Sequence, residues 1–163
     1  MIFQEKQKFT QWWLWTILLG VLAVVIFAIY RQLVLNEPFG DNPMSDSGLI
    51  IFAVLILALC TLFGFIHLDT RIDKTHVKFT FIPFLKKSVE WKNIKSARVV
   101  DYGTVGGWGI KHSKDYGTVY ATGGDMGLAI AMQNGDKFVI GTQKESELRT
   151  FLDRENFTAI TRN

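Results

Sequence analysis

A continuous apolar stretch from Leu49 to Leu68 constrains the fold more than any other part of the chain. Its twenty residues include no Asp, Glu, Lys or Arg, and Cys60 and His67 are its ionisable members. A helix of this length rises about 30 Å, which matches the thickness of the hydrocarbon core of a bilayer. We therefore expect a membrane-spanning helix here.

A second apolar stretch precedes the first. Trp12 to Tyr30 contains no charged residue, opens with three tryptophans within four positions and ends with a tyrosine. Aromatic side chains of this kind are typical of the two membrane interfaces. The lead of residues 1–11 also permits a cleaved signal peptide, but the apolar run is long for a signal core and another full-length span follows it. The pattern predicts a membrane anchor over residues 1–68, with transmembrane helices at 12–30 and 49–68.

The connection between the two spans, residues 31–48, is rich in Pro, Gly, Asn, Asp and Ser, which favour turns. It carries one Arg against three acidic residues. Basic residues instead flank the spans: Lys6, Lys8, Arg71, Lys74 and Lys78. Since Lys and Arg near span ends favour the cytoplasmic side, both termini are predicted to be cytoplasmic, with the loop 31–48 outside.

The composition of the spans favours an anchor over a transport pathway. Neither span contains an Asp, Glu, Lys or Arg, and transporters and proton pathways normally need such residues inside the membrane. Cys60 is the single cysteine of the chain, so the fold cannot depend on an intrachain disulfide. We interpret Cys60 as a small apolar helix residue.

Residues 69–163 are enough for one small domain with its own core, and their net charge is +4. After Leu68 the apolar residues alternate with polar ones, which predicts a strand over His76 to Phe84. Gly127 to Gln133 and Lys137 to Ile140 flank the dipeptide Asn134-Gly135, which predicts a hairpin with a type I′ turn.

The end of the chain predicts a helix. Thr142 to Glu145 matches a capping box, and Leu148, Phe151 and Leu152 then recur at helical spacing until about Glu155 or Asn156. Upstream, the segment Leu85 to Ser88 is interpreted as a basic turn. The domain is therefore expected to be α+β, with several antiparallel strands closed by one amphipathic C-terminal helix.

Five segments fit this order of elements: Val89-Glu90-Trp91, Asn93-Ile94, Gly107-Trp108-Gly109-Ile110, Gly127 to Ile140 and Gly141-Thr142-Gln143. In this order, over residues 70–155 and after two spans, the chain resembles the pleckstrin-homology-like (PH-like) domains of bacterial membrane proteins. The resemblance implies an α+β fold in which a PH-like antiparallel β-barrel or sandwich is capped by a C-terminal α-helix. It also implies an integral protein of the bacterial inner (cell) membrane with a cytoplasmic PH-like domain at 69–163. It implies no activity, because PH-like folds bind lipids, peptides or proteins.

Four lysines near Trp91 are the candidate contacts to lipid headgroups: Lys86, Lys87, Lys92 and Lys95. Each basic residue close to an anionic leaflet contributes about 1 kcal/mol of attraction. The competing interpretation is a mildly basic surface that has no ligand. Trp91 itself is expected in the core, because it alternates with Val89.

Other site chemistries lack their residue patterns. The glycine-rich stretch Gly103 to Gly127 has the wrong spacing for a dinucleotide fingerprint, so we expect turns and bulges there. The three histidines show no metal-ligand spacing, and no base and acid accompany Ser96 or Ser113. No cofactor or metal is expected. Nucleic-acid binding is not expected either, because the domain is only weakly basic and shows no known motif.

These observations predict a non-enzymatic, membrane-anchored interaction or assembly module that binds a protein partner or a second copy of itself. The alternative is a module that binds anionic lipid headgroups through the four lysines. An enzyme is the less favoured third possibility, and it would require a concave pocket with convergent polar groups.

Overall fold

The computed structural model of the chain describes residues 2–103, 108–155 and 157. The chain divides into two compact units, a helical unit of Thr10–Phe65 and a β-rich unit of Met1–Phe9 together with Ile66–Asn163. The β-rich unit is therefore built from chain segments on both sides of the helical unit.

The helical unit contains α1 (Trp12–Ile29), a π-helical turn that continues it (Tyr30–Val34), and α2 (Asp46–Phe65). Within the described residues, these are two helices that are long and apolar enough to cross a membrane. The second helix begins and ends three residues earlier than predicted. It cannot extend to Leu68, because His67 and Leu68 belong to a strand.

Side-chain contacts join both ends of the helical pair. The Gln32 amide donates hydrogen bonds of 2.7 Å to the Met44 carbonyl and to the Asp46 carboxylate. At the other end, a Cβ added at Gly64 would lie 3.8 Å from the Trp15 ring. The two helices are therefore antiparallel neighbours that pack along their length. The buried residues of the two helices are Leu18, Val25, Ala28, Leu49 and Cys60.

The first sheet of the β-rich unit is an antiparallel meander in chain order. Its strands are β1 (Phe3–Lys8), β2 (His67–Ile72), β3 (His76–Ile82) and β4 (Leu85–Glu90). The predicted basic turn at Leu85 to Ser88 is wrong, because these residues begin β4. The turn lies at Pro83 and Phe84, where the Phe84 N–H donates to the Phe81 carbonyl at 2.7 Å.

A short 3₁₀ turn at Trp91–Asn93 leads into the second sheet. Its strands are β5 (Ile94–Asp101), β6 (Gly109–Ser113), β7 (Gly117–Ala121), β8 (Met126–Met132) and β9 (Lys137–Gly141). Their order is β5-β8-β9-β7-β6, and β7 pairs with β9 in parallel. The predicted α+β class is confirmed, but the described strands form two separate sheets and no closed barrel.

Gly117 lies where β7 runs close beside β9. It has φ of 72°, and a Cβ there would collide with the Lys137 carbonyl. A side chain is therefore excluded on both conformational and steric grounds. In the glycine-rich stretch, the described glycines with positive φ are Gly103, Gly109, Gly117 and Gly124, and the pairing of β6 with β7 contains no bulge. Gly106 and Gly107 lie outside the described residues.

The predicted hairpin between β8 and β9 is confirmed, but its turn is not type I′. Gly135 has φ of 94°, whereas Asn134 is not in the positive-φ region that a type I′ turn requires. The Gly135 N–H donates to the Met132 carbonyl at 3.1 Å, and the Met132 N–H donates to the Asp136 carbonyl at 2.8 Å. This pattern is a β-turn followed by a glycine bulge.

The C-terminal helix α3 (Glu145–Arg154) buries the predicted stripe of Leu148, Phe151 and Leu152. The predicted capping box is wrong, because Lys144 is the N-cap residue and no side chain caps the helix. The hydroxyl of Thr142 donates a hydrogen bond to Glu5 in β1 and accepts one from the N–H of Lys144 at 3.1 Å, before the helix begins.

The core lies between the inner faces of the two sheets. Phe79 of β3 is 1% exposed, and its ring centroid lies 4.9 Å from that of Tyr120 and 5.7 Å from that of Phe138. Buried residues alternate with half-buried or exposed ones along β1, β2 and β3, so this sheet has one face in the core and one outer face.

Candidate interaction surfaces

Strand β1 is fixed to the rest of the β-rich unit by two buried polar side chains. The Glu5 carboxylate accepts hydrogen bonds from the Thr142 hydroxyl at 2.6 Å and from the Gln143 N–H at 2.7 Å. The Gln7 amide donates to the Gly141 carbonyl at 2.7 Å. These bonds join the start of the chain to the segment between β9 and α3. The predicted polar lead is therefore part of the folded unit.

The exposed face of the first sheet is basic. Antiparallel pairing places four residues in one row across the sheet, in the order Lys6, Asp69, Thr80 and Lys86. One step along the strands it aligns Arg71 with Lys78. We call the following exposed residues the basic outer face: Lys6, Lys8, Arg71, Lys78 and Lys86.

Few acidic groups offset this face. Among the described outward-facing residues of the three rows that contain Lys8, Lys6 and Arg71, Asp69 is the one acidic residue, and its carboxylate lies 3.5 Å from the ring nitrogen of His67. Glu90, further along β4, is paired with Lys92 at 2.5 Å, and this pairing lowers the pKa of the Glu90 carboxyl. The basic outer face therefore carries a local excess of positive charge that suits an anionic partner.

The four predicted lysines are not brought together. Lys86 belongs to the basic outer face, whereas Lys87 lies on the other side of β4 with its ammonium 4.2 Å from the centroid of the Phe138 ring. Lys92 is paired with Glu90, and Lys95 lies on β5 in the second sheet.

In the sequence, the other members of the basic outer face are recognisable only as basic residues that flank the predicted spans. The signal for a strand over β1 was weak, because two of its inward positions are Glu5 and Gln7 rather than apolar residues. Without that strand, nothing in the local pattern connects Lys6 and Lys8 with Lys86.

Lys87 lines a cleft of about 380 Å³. Lys114 and Lys137 contribute further positive charge, and the cleft is also lined by His112, Thr118 and the acidic Asp136. Because the charges are mixed and mostly on exposed side chains, the cleft is a weaker candidate for an anion than the basic outer face.

A groove of about 460 Å³ separates β1 from α3. It is lined by Ile2, Phe3 and Gln4 on one side and by Ser146, Thr150 and Phe151 on the other. Among the described strands, β1 is the edge of the first sheet, and its first residues line this groove. An edge strand beside a helix is a geometry that can accept an extended peptide segment.

Trp91 belongs to the core, as predicted. It is 7% exposed, its ring nitrogen donates to the Asp73 carbonyl at 2.8 Å, and its ring stacks on Phe157 at 4.0 Å. It is therefore unavailable as a contact to lipid.

Two groups outside the helices have strongly shifted acidities. Hydrogen bonds from the Thr75 hydroxyl and from the backbone N–H groups of Thr75 and His76 lower the pKa of Asp73 to about 2. Burial, with two nearby aspartates, raises the pKa of Tyr102 to about 12. Near neutral pH Asp73 therefore stays ionised and Tyr102 stays protonated, which suits structural roles in turns rather than proton transfer.

Among the described residues, no group of three or more His, Cys, Asp or Glu side chains could hold a metal ion. No protein-family model matches the chain, and no curated protein matches its sequence. A functional assignment therefore rests on the geometry of the two units.

Proposed function

We propose that the chain is a membrane-anchored, non-enzymatic interaction or assembly module. In this proposal a PH-like domain at the cytoplasmic face of a bacterial inner membrane binds a protein partner or a second copy of itself. One observation carries the proposal: β1 and β2 are paired from Phe3 with Ile72 to Lys8 with His67, although the helical unit separates them in the chain. A chain that leaves one sheet and returns to it ends on the side of the membrane where it started.

The exposed surface of the helices supports membrane insertion. Ile26, Ile51 and Leu55 are each more than half exposed, and neither helix carries a charge within its apolar segment. Each Å² of such surface gains about 25 cal/mol on leaving water. Lipid around the helical pair is the simplest environment that removes this surface from water.

The charge distribution supports cytoplasmic termini. Lys6, Lys8 and Arg71 lie on the strands that flank the helices. Arg31, the one basic residue between the helices, is ion-paired with Glu37. The loop therefore presents no unpaired basic group near a helix end that would favour the cytoplasmic side.

The orientation gives a direct test. In a Cys60→Ala background, Ser47→Cys is expected to react with a membrane-impermeant maleimide in intact cells, because Ser47 is exposed at the start of α2. The matched control Ser88→Cys, exposed on β4, is expected to react only after permeabilisation. Labelling of Ser88→Cys and protection of Ser47→Cys in intact cells would place the domain outside and overturn the cytoplasmic assignment.

The PH-like part of the proposal is supported by the coarse arrangement of two sheets followed by a C-terminal helix. The β6–β7 hairpin and its parallel pairing with β9 depart from an all-antiparallel barrel. The groove between β1 and α3 supports a protein partner, because an edge strand offers unpaired backbone groups to an added strand.

Binding of anionic lipid headgroups is the second candidate function, and the basic outer face favours it. Its five basic residues come from all four strands of the first sheet, and two of them precede α1 closely. At about 1 kcal/mol for each basic residue near an anionic leaflet, contact by three of them would give a substantial local attraction.

Lysine reactivity distinguishes this candidate. In nanodiscs, replacing phosphatidylcholine with phosphatidylglycerol is expected to slow acetylation of Lys6, Lys8 and Lys86 at least threefold, as measured by mass spectrometry. Salt at high concentration should remove the effect, because it screens the attraction. Lys95 and Lys137, exposed on the second sheet, serve as internal controls. Equal slowing at all five lysines would contradict binding through the basic outer face.

A further inference from the structure

The connection between β3 and β4 is apolar, although hairpin connections are usually built from polar residues and glycine. Residues 82–85 are Ile-Pro-Phe-Leu. Phe84 is 56% exposed, Pro83 is also exposed, and Ile82 and Leu85 are half-buried. Four consecutive apolar residues at an accessible turn point to an environment other than water.

Strand pairing fixes where this connection lies. Lys8, His67 and Ile82 form one row across the first sheet, at the end of the sheet where β3 gives way to the connection. Strand β1 leaves this same end and α1 begins at Trp12, while α2 ends at Phe65, two residues before His67. The apolar connection is therefore at the end of the sheet to which both apolar helices are attached.

The connection is held in a defined conformation. The Phe84 N–H donates to the Phe81 carbonyl at 2.7 Å. The ring centroids of Phe81 and Phe84 are 6.0 Å apart. Basic residues lie on the exposed face beside it, with Lys86 two residues after Phe84 and Lys8 in the row of Ile82. An aromatic ring flanked by lysines is typical of segments at the boundary between lipid tails and headgroups.

We propose that residues 82–85 are a membrane-contacting loop whose Phe84 side chain enters the interfacial region of the bilayer that holds the two helices. Lys8 and Lys86 then lie at the level of the headgroups. The inference rests on the proposed membrane anchoring and adds a third contact with the bilayer.

The chain offers a matched control at the opposite end of the same sheet. Ile2 is 51% exposed and directly precedes β1, whose first pair is Phe3 with Ile72. Along an extended strand, Ile2 lies about 20 Å from Lys8. It is as apolar and as accessible as Phe84, but it is remote from the end to which the helices are attached.

The test uses the full chain with Cys60→Ala, reconstituted in vesicles of phosphatidylcholine and phosphatidylglycerol. Separate variants Phe84→Cys, Ile2→Cys and Leu55→Cys carry an environment-sensitive NBD label, and some vesicles contain lipids with a doxyl quencher. We expect at least twofold quenching and blue-shifted emission at positions 84 and 55, with neither change at position 2.

A second labelled position, Lys86→Cys, allows the Phe84 side chain to be kept or removed. A label on Lys86→Cys is expected to be quenched by a headgroup-level quencher when Phe84 is present and to lose most of that quenching with Phe84→Ser. If position 55 is quenched but positions 84 and 2 do not differ from each other, the loop contact is overturned and the anchor is left intact. Absence of quenching at position 55 would overturn membrane anchoring, and the loop contact with it.

Discussion

Replacing the helical unit with a two-residue turn is expected to give a water-soluble, folded protein. Lys8 and His67 are the last pair of β1 with β2, Phe9 directly follows β1 and Ile66 directly precedes β2. Joining Phe9 to Ile66 through Asn-Gly creates the connection that a two-residue β-hairpin favours. The variant loses the apolar surface of both helices and keeps every strand. Size-exclusion chromatography with light scattering should show a discrete monomer or dimer, and no aggregate, in the absence of detergent.

The matched control is the fragment 66–163, which lacks the helices and β1 together. We expect it to aggregate, because it exposes the edge of β2 and leaves the Thr142 hydroxyl and Gln143 N–H without their acceptor on Glu5. If this fragment is as soluble and as protected from hydrogen exchange as the closed variant, β1 is not required for folding.

Substituting Glu5 with Ala is expected to destabilise the β-rich unit by about 3 kcal/mol, because it removes the acceptor of two hydrogen bonds that reach a buried hydroxyl and a partly buried amide. In the full chain, hydrogen exchange followed by mass spectrometry should show about hundredfold faster exchange in peptides from β9 and α3. Glu5→Gln keeps one acceptor oxygen and should therefore destabilise the unit less than Glu5→Ala does.

Thr70 supplies the control for this substitution. It lies directly opposite Glu5 on the inner face of β2 and is buried, and its hydroxyl makes no hydrogen bond within the described part of the chain. Thr70→Val keeps the shape and removes a hydroxyl with no partner, so it should not destabilise the unit measurably. If Thr70→Val lowers the free energy of unfolding as much as Glu5→Ala does, any change on this face disrupts packing. The hydrogen bonds of Glu5 are then not the cause of the destabilisation.

Periodicity along the chain was sufficient for the local elements. Both apolar helices, the β8–β9 hairpin and the buried stripe of α3 follow from patterns that a few neighbouring residues carry. Errors arose where a partner distant in sequence decides the conformation. The local spacing predicts Thr142 as the N-cap residue of α3, but the helix begins two residues later, and the Thr142 hydroxyl also donates to Glu5, which lies 137 positions away.

Strand β4 shows the same limit. Leu85 to Ser88 contains two adjacent lysines, which by local composition favour a turn. In the sheet, Lys86 faces solvent and Lys87 packs over the Phe138 ring, so the alternation of β4 is visible only when its surroundings are known.

The sequence by itself determined that two long apolar helices precede an α+β domain with a C-terminal helix, because burial of apolar surface leaves a periodic record in the chain. Only the tertiary structure decided that the first residues form a strand of that domain, that β7 runs parallel to β9, and that Lys6, Lys8, Arg71, Lys78 and Lys86 share one face. Strand pairing is specified jointly by two segments, and the free energy of each pair depends on a partner that local pattern does not identify.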